Sequence, residues 1–545
     1  MADHVILTGF MGTGKTAVGQ EVARELGRPF VDMDAEIEAR AGKSIARIFS
    51  EEGEVAFREL EAALCQELAA PHGGSAGPVE KAVIATGGGA LINPGNLALM
   101  RKSGIVICLD ADGDEIRRRV ARRRDRPLLD IDDPRLEIER LLQDRREAYA
   151  ATPWHVDTTS LSIPEAAGRV VALIEATNVS VRHPRGTYEI RIGEGLLNHV
   201  GGALRAAGLA PGTRVGLVSN DVVAPLYAAQ VEEALLVAGL RPFVCVIPDG
   251  EGHKTLATVA SLYDQFLAGG LDRSGAVLSL GGGVTGDVAG FAAATFMRGV
   301  RFAQTPTSLL AMVDASVGGK TAVDLPRGKN LAGAFHQPLC VTIDPTVLET
   351  LEEREFRSGV AELIKHSVIG EPGLFAELEH AGHRSAPQAA WGTITSAQIV
   401  RALRVKIDIV EEDPYERGRR AVLNLGHTVG HALETLSDFQ LRHGEGVSIG
   451  MVAAARIAVR VGRAEPSVTE RLEAILTAWD LPTQCRLPGS PQFPAEAIWR
   501  AMAHDKKRQG DALHWVLPLA IGQVTITDDV PRETVTMTLR EMGAS

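Results

Sequence analysis

Residues 4–16 read His4-Val5-Ile6-Leu7-Thr8-Gly9-Phe10-Met11-Gly12-Thr13-Gly14-Lys15-Thr16, a short apolar run, a loop with three glycines, and Lys-Thr at the head of an amphipathic stretch. Val5 to Leu7 has strand character and Thr16 to Leu26 has helical spacing, so the loop joins a strand to a helix. In that context Gly9 to Thr16 fits the pattern G-x-x-x-x-G-K-[ST], whose mechanism is physical. Glycines let backbone N–H groups wrap phosphates at a helix N-terminus, Lys15 reaches the outer ones, and the Thr16 hydroxyl can ligate Mg²⁺. A nucleoside triphosphate site is expected here, on a parallel α/β fold.

Working outward, apolar runs of strand length (Ala82 to Ala85, Ile105 to Leu109) alternate with helical patterns such as Val55 to Leu68, up to a closing helix at Pro164 to Glu175. Thr177, Asn178 and the turn His183-Pro184-Arg185-Gly186 interrupt the pattern, and a new strand is expected near Tyr188 to Ile192. The boundary is therefore placed near residue 178, with a first module at 1–177 and a second at 178–545. Within the second, strand and helix patterns alternate to about residue 345, and long helical patterns dominate 346–545. A chain of 545 residues has room for these modules, and 45% hydrophobic with 23% charged residues is ordinary globular composition.

The 57 Lys and Arg against 69 Asp and Glu leave a net charge of −12, which argues against nucleic acid or anionic membranes as general partners. Five scattered cysteines without a CxxC pair argue for buried thiols in a reducing compartment. The start has no signal-like segment and no run reaches the ~18 apolar residues of a membrane span, so a soluble, cytoplasmic protein is expected.

Asp32 and Asp34 close the expected strand Pro29 to Met33, where residues two apart share a face and so look into one cleft. Arg58 lies on the Val55 to Leu68 helix, and Gly87-Gly88-Gly89 follows the strand Ala82 to Ala85, where open α/β sheets present ligands. Carboxylates, an arginine and a glycine turn suit a small, hydroxylated, acidic acceptor. Seven arginines fall within residues 117–126; without interleaved aromatics they suit a lid better than a nucleic-acid patch. Arg126, before Pro127, is the one expected to stabilise a transferring phosphoryl group. The segment Pro71 to Pro78 is read as a surface loop.

In the second module Gly281-Gly282-Gly283-Val284-Thr285-Gly286-Asp287 follows the strand Ala276 to Leu280 and opens a helix, so its amides can take a pyrophosphate. Asp249, Glu251 and Lys254 follow the strand Phe243 to Ile247, where dinucleotide folds place acidic groups on ribose hydroxyls. Asn424, His427 and His431 are spaced to share one helix face, with His443, Glu445 and the pair Glu362, Lys365 elsewhere in the helical half. Two imidazoles and a carboxylate make a zinc site with an open position. Arg298, Lys320, Lys329, Lys365, Lys406, Arg420, Lys506 and Lys507 supply positive charge for a phosphate and a carboxylate.

Residues 1 to about 175 resemble shikimate kinase in the Walker loop, the Asp-x-Asp pair, Phe57-Arg58, the triple glycine, Arg126-Pro127-Leu128-Leu129, and Arg145 four residues before Tyr149. The resemblance implies a P-loop kinase fold related to the nucleoside monophosphate kinases, and transfer of the ATP γ-phosphoryl group to the 3-hydroxyl of shikimate. It implies ATP at Gly12, Thr13, Gly14, Lys15, Thr16 and Ala17, with Arg119 along adenine and Arg126 on the phosphates. Mg²⁺ goes with Thr16 and Asp32; Asp34, Arg58, Gly88, Gly89 and Arg145 take shikimate, with Asp34 as base.

Residues 179–545 resemble 3-dehydroquinate synthase through PDGE-x-x-K, GGGVTGD, MVDASVGGKTAV, GKN-x-x-GAF, GVAELIKH, LNLGHTVGHALE and the late DKK. That implies a Rossmann-like half and a helical half, zinc or cobalt on Glu362, His427 and His443, and a homodimer through this module. NAD is expected at Asn220, Asp249, Gly250, Glu251 and Lys254, then along Gly282, Gly283, Val284, Thr285, Gly286 and Asp287. Thr307, Ser308, Asp314, Lys320 and Lys329 complete that site with Val347, Leu348, Glu349 and Thr350. Substrate is expected at Lys320, Asn330, Asn424, His431, Lys506 and Arg298, the last from a partner subunit, with Asp314, Lys365, Lys406 and Arg420 completing the site. The reaction implied converts 3-deoxy-D-arabino-heptulosonate 7-phosphate to 3-dehydroquinate by transient oxidation, phosphate elimination, re-reduction, ring opening and aldol closure. Arg442 stands where the family more often has a small or apolar residue. A cyclase making aminocyclitol precursors, and a kinase module that only regulates, are the rival readings; the full set Lys15, Asp32, Asp34, Arg58 and Arg145 argues against the second.

Overall fold

The computed structural model describes residues 4–70, 81–121, 134–382, 394–438, 440–485, 493–506 and 513–545, without the side chains of 134, 135 and 504–506. By backbone contacts the chain forms two compact units, one of residues 1–176, 195–214 and 229–242, the other of 177–194, 215–228 and 243–545. Among the described residues no helix is long and apolar enough to cross a membrane.

The first unit is built on five parallel strands, β1 (His4–Thr8), β2 (Phe30–Asp32), β3 (Val83–Ala85), β4 (Gly104–Asp110) and β5 (Trp154–Asp157), in the order β2-β3-β1-β4-β5. β1 is central and wholly buried, which is why it reads as an unbroken apolar run rather than an alternating one. Ile6, Ile84 and Val106 on one side of the sheet pack with Met33, Phe57 and Leu64 from the helices. The loop after β1 then emerges at the carboxyl end of the sheet, where Gly12 (φ 83°) and Gly14 (φ 95°) take left-handed backbone that other residues adopt only at a cost. The helix Lys15–Leu26 starts directly beyond them.

Two expectations about local structure change. Strand β2 ends at Asp32, and Asp34 belongs to the helix Met33–Ala41, so the two carboxylates are not alternate residues of one strand. Asp32 caps that helix, its side chain accepting from the backbone N–H of Asp34 and Ala35, and this competition by a short acidic side chain is what ends the strand. In the second unit, Thr177 and Asn178, read as part of an interruption, open strand β6 (Thr177–His183), which pairs antiparallel with β7 (Gly186–Ile192) across the expected His183 to Gly186 turn. Val179 and Val181 alternate inward among polar neighbours, the pattern of a half-buried strand.

The large sheet of the second unit continues with β8 (Arg214–Asn220), β9 (Arg241–Ile247), β10 (Ala276–Gly281) and β11 (Arg301–Pro306). A hairpin, β12 (Lys320–Leu325) with β13 (Gly328–Phe335), precedes β14 (Cys340–Ile343), which returns to the sheet; the order is β6-β7-β14-β11-β10-β8-β9. From β8 the chain passes to β9 on one side and β10 on the other, so the strand order reverses between β8 and β10, the crevice where such sheets bind ligands. Among the described residues beyond β14, the regular structure is helical apart from the pair β15 (Trp515–Ala520) and β16 (Gln523–Thr527). The helix Glu353–Gly370 is buried continuously from Ser358 to Ile369, so it is enclosed by its neighbours, and its polar residues need partners within the protein.

Candidate functional sites

In the first unit the Lys15 ammonium donates to the carbonyls of Gly9 and Phe10, 2.9 Å each, folding back over the loop it serves. Thr16 donates its hydroxyl to Asp32 at 2.8 Å, which brings together the two groups expected to serve Mg²⁺. Arg119 is tied to Glu115 (2.6 Å), the carbonyl of Thr158 (2.6 Å) and, more loosely, that of Gly12 (3.4 Å), so it flanks the phosphate loop. Arg118 pairs with Glu115 and Arg117 lies 3.4 Å from Glu139. Arg126 and the Pro71 to Pro78 loop lie outside the described residues.

The residues expected to take the acceptor converge on the glycine turn. A side chain built at Gly87 would meet Asp34 at 2.8 Å and Glu61 at 2.5 Å, and one at Gly89 would strike the Arg58 guanidinium. The triple-glycine turn thus lies flat against Asp34 and Arg58 because nothing larger fits. Arg145 and Tyr149 both donate to the carbonyl of Gly88, at 3.3 and 2.6 Å. Glu61 is the residue that reading the sequence missed. It stands one helical turn after Arg58, is 1% exposed, and holds that guanidinium at 2.5 Å. Burial raises its carboxyl above the ordinary range while Arg58 pulls it back. Its spacing of three from Arg58 was the available signal.

In the second unit Gly282 and Gly283 sit at the end of β10, with the helix Gly283–Thr295 opening there. Thr307 donates its backbone N–H to Gly281 at 3.0 Å, and Ser308 packs against Gly282, so Thr307 and Ser308 flank the glycine turn. Val284, Thr285 and Gly286 form the first turn of that helix. Asn220, at the end of β8, donates to Asp249 at 2.5 Å, and Gly250 continues that loop. Lys254 bridges Asp287 (2.6 Å) and Asn330 (2.5 Å), and Lys329 lies 3.2 Å from Glu251. Val347, Leu348, Glu349 and Thr350 lie on the short helix after β14, where Thr350 meets the Tyr227 hydroxyl at 2.6 Å.

Several charged groups gather around the buried helix Glu353–Gly370. Glu362 is fully buried; its Oε2 is 2.6 Å from the Lys365 ammonium, while its Oε1 is 3.3 Å from His443 Nε2 and 3.8 Å from His427 Nε2. His427 heads the helix His427–Leu436 and His443 heads the helix His443–Arg460. Two imidazole nitrogens within 3.8 Å of one buried carboxylate oxygen and within 4.8 Å of each other, the three groups on three different helices, fit a divalent cation. Each imidazole has its other nitrogen held, His427 Nδ1 by the carbonyl of Leu425 (3.1 Å) and His443 Nδ1 by Glu434 (3.0 Å), which aims Nε2 inward. Burial, with Lys365 nearby, keeps the His427 imidazole well below its ordinary pKa and so neutral. At His443 burial opposes the charge, but Glu362 and Glu434 on either side outweigh it and raise the ring to about 10.

His431, one turn beyond His427, also faces this point, and its nitrogen lies within 4.8 Å of both other imidazoles. Glu445 does not: it pairs with Arg354 at 2.7 Å. Asn424 is not on the His427 helix as expected; it ends the short helix Arg419–Asn424, and Gly426 (φ 81°) turns the chain before His427. Asn424 reaches Glu416 instead (3.3 Å), and Glu416 also pairs with Lys320, a contact no spacing in the sequence announced.

Asp314 takes Lys406 at 2.8 Å, His366 at 3.3 Å and Lys365 at 3.8 Å, while Lys365 sits 2.6 Å from Glu362. Burial alone would raise the Asp314 carboxyl; the two ammonium groups hold it well below its usual range. Arg420 is buried and donates to the carbonyls of Pro414 (2.6 Å) and Gly318 (3.4 Å). Arg298 ends a turn in which both it and Met297 have left-handed backbone (φ 69° and 49°). The Lys506 side chain and Lys507 lie outside the described residues. Arg442 pairs with Glu355 at 3.0 Å, a surface role for the unfamiliar residue.

Glycines bring the helices this close. A side chain at Gly430 would lie 2.8 Å from the Gly446 backbone, and those at Gly450 and Gly444 would collide with the carbonyls of Gly426 and Ser358. Gly446 and Gly450 are four apart on one helix face and meet the backbone of Gly430 and of the capping Gly426, so the two segments touch backbone to backbone.

Residues 11–175 match the family model for shikimate kinase. Residues 244–358 match that for the 3-dehydroquinate synthase N-terminal domain, and 359–508 that for its C-terminal domain. The chain is 46% identical over 365 residues to the 3-dehydroquinate synthase of Synechocystis sp. (strain ATCC 27184 / PCC 6803 / Kazusa), covering 67% of this chain and 99% of that protein. The solved structure of ValA, the 2-epi-5-epi-valiolone synthase of Streptomyces hygroscopicus subsp. jinggangensis 5008 with NAD⁺ and Zn²⁺ bound, is 27% identical; its TM-score is 0.59, covering 65% of this chain and 96% of that one. A 2-deoxy-scyllo-inosose synthase complexed with carbaglucose-6-phosphate, NAD⁺ and Co²⁺ is 25% identical with a TM-score of 0.58, over 67% of this chain and 100% of that one. With these three family models matched in this order and a relative covered almost end to end, the chain belongs to the 3-dehydroquinate synthase family and carries a shikimate kinase-like domain ahead of it.

Proposed function

We propose the following division of work in this bifunctional shikimate-pathway enzyme. The first module transfers the γ-phosphoryl group of ATP, with Mg²⁺, to the 3-hydroxyl of shikimate; the second converts 3-deoxy-D-arabino-heptulosonate 7-phosphate to 3-dehydroquinate and phosphate. The observation that carries the second reading is the Glu362 oxygen held 3.3 and 3.8 Å from two oriented imidazole nitrogens.

In the kinase, loop amides and Lys15 hold the phosphates, while Arg58 and Arg145 clamp the acceptor carboxylate. Asp34 takes the proton of the attacking hydroxyl, and Arg126 stabilises the moving charge. Support for this set comes from the crowding of Asp34, Arg58 and Arg145 around the glycine turn. In the synthase, Glu362, His427 and His443 would hold zinc or cobalt, and the glycine turn with Asp249, Glu251, Lys254 and Asp287 would hold NAD. When bound, the metal acidifies a substrate alcohol and NAD accepts a hydride and returns it, so neither is consumed. Lys320, Asn330, Asn424, His431, Lys506 and Arg298 bind the phosphate and carboxylate, and the network of Asp314, Lys365, Lys406 and Arg420 orients the ring hydroxyls. The working unit is a homodimer with Arg298 crossing between subunits. All five cysteines are free and buried, which supports a reducing, cytoplasmic setting.

Two assays on the purified chain test this reading: ADP formed from ATP only with shikimate, and phosphate released from the heptulosonate phosphate in competition with other sugar phosphates. Preference for a different sugar phosphate would move the second module to the aminocyclitol-type cyclases, and no shikimate-dependent ADP would leave the first without its activity.

A further inference from the structure

So far Glu434 has been placed only as the partner of His443 Nδ1. It lies seven residues, two helical turns, after His427 on the helix His427–Leu436, and its side chain is only 3% exposed. A buried carboxylate is costly unless both oxygens are engaged. Here both are. Oε1 lies 3.0 Å from His443 Nδ1, and Oε2 accepts from Lys329 Nζ at 3.2 Å. The same ammonium is 3.2 Å from Glu251 Oε1. A single line of contacts therefore runs from Glu251, on the turn after β9, through Lys329 on β13 and Glu434, to the ring of His443. The other face of that ring looks at Glu362.

The two candidate metal imidazoles are thus held differently. His427 is fixed by a backbone carbonyl of its own loop, which no side-chain change can remove. His443 Nδ1 is held by a side chain, Glu434 of another helix, and Glu434 is steadied by a cation from the β12–β13 hairpin. A carboxylate accepting from the second nitrogen fixes the tautomer and increases the ring's basicity toward a metal.

We propose that Glu434 is a positioning residue: it holds His443 Nδ1–H so that Nε2 faces the metal position, and through Lys329 it ties that ring to Glu251 in the dinucleotide region. This rests on the metal reading proposed above. Glu434→Leu removes both the acceptor and the charge, whereas Glu434→Gln keeps an oxygen acceptor and the volume but loses the charge. In the full chain, competition with a chromophoric chelator should show zinc affinity lowered about 10 to 100-fold in Glu434→Leu and by a smaller factor in Glu434→Gln. Lys329→Met should lower it in the same direction. With Co²⁺ in place of zinc, the visible absorption band should shift in the Glu434 variants, a change that loss of packing elsewhere would not produce. Folded Glu434→Leu and Glu434→Gln with wild-type zinc affinity and an unchanged cobalt band would overturn the proposal. Should Glu434→Leu not fold, Glu434→Gln alone decides by the same two readouts. A wild-type chain that takes up no stoichiometric metal would remove the metal reading itself, a failure seen before any variant is made.

Discussion

Replacing Gly430 by alanine tests whether backbone contact between two helices sets the geometry of the metal site. The added methyl would stand 2.8 Å from both the carbonyl carbon and oxygen of Gly446 and 3.1 Å from the amide nitrogen of Val447, whereas ordinary contact begins at 3.4 Å. All three neighbours are backbone atoms, so no side chain can swing aside; the helices His427–Leu436 and His443–Arg460 must separate by about 0.6 Å. Overpacking of this kind costs about 1 to 3 kcal/mol, and alanine returns up to about 1 kcal/mol through its better helix propensity. The net loss of stability is thus about 0 to 3 kcal/mol, and the module stays folded. Metal binding is less forgiving, because ligand distances tolerate only about 0.2 Å and the two imidazoles ride on the two helices being moved apart. Zinc affinity should fall at least about tenfold. Chelator competition gives the affinity, and thermal melts with and without zinc give the stability. A Gly430→Ala protein with wild-type zinc affinity would refute the reasoning, for the helix contact would then not set the ligand spacing.

Gly168→Ala is the opposite case: Gly168 lies inside the helix Ile163–Glu175 with nothing within 4 Å of the added methyl, so the kinase module should gain up to about 1 kcal/mol in denaturant unfolding. Lys15→Ala should abolish shikimate-dependent ADP formation and leave phosphate release by the synthase unchanged; parallel loss of both in a folded protein would show that the modules do not act independently. Burial holds the His336 imidazole, which bonds the Val300 carbonyl at 2.8 Å, below its ordinary pKa of 6.5. Below that pH the unfolded chain takes up the proton first, so stability present above pH 6.5 is lost as pH falls toward the folded pKa. Melts across pH 5 to 8 should show this slope flattened in His336→Gln, and an unchanged slope would assign it to other groups.

Much of the molecule was legible without coordinates because the physics involved is local. The loop Gly9 to Thr16 between a strand and a helix, the alternation of strand and helix patterns, and the glycine run after β10 all follow from neighbours a few residues apart. Where two local effects compete, reading by period alone misplaces the boundary. Asp32 caps a helix instead of leaving Asp34 on a strand, and Val179 and Val181 carry a strand that takes in Thr177 and Asn178, whose polarity suggested an interruption. Asp34 nevertheless reaches the acceptor cleft, carried there by the first helical turn rather than by strand alternation.

What only the tertiary structure decided is which distant groups meet. Glu362, His427 and His443 come from three helices, and their approach depends on Gly430, Gly444, Gly446 and Gly450 removing the side chains that would hold those helices apart. Glu61, Glu416 and Glu434 read as ordinary acidic residues of helices and loops. They gain partners in Arg58, Lys320 and His443 through packing. Sequence spacing fixes which residues share a face of one helix, because that face is set by the backbone repeat. It carries no information on where that face lands, because landing is settled by close packing between segments far apart in the chain.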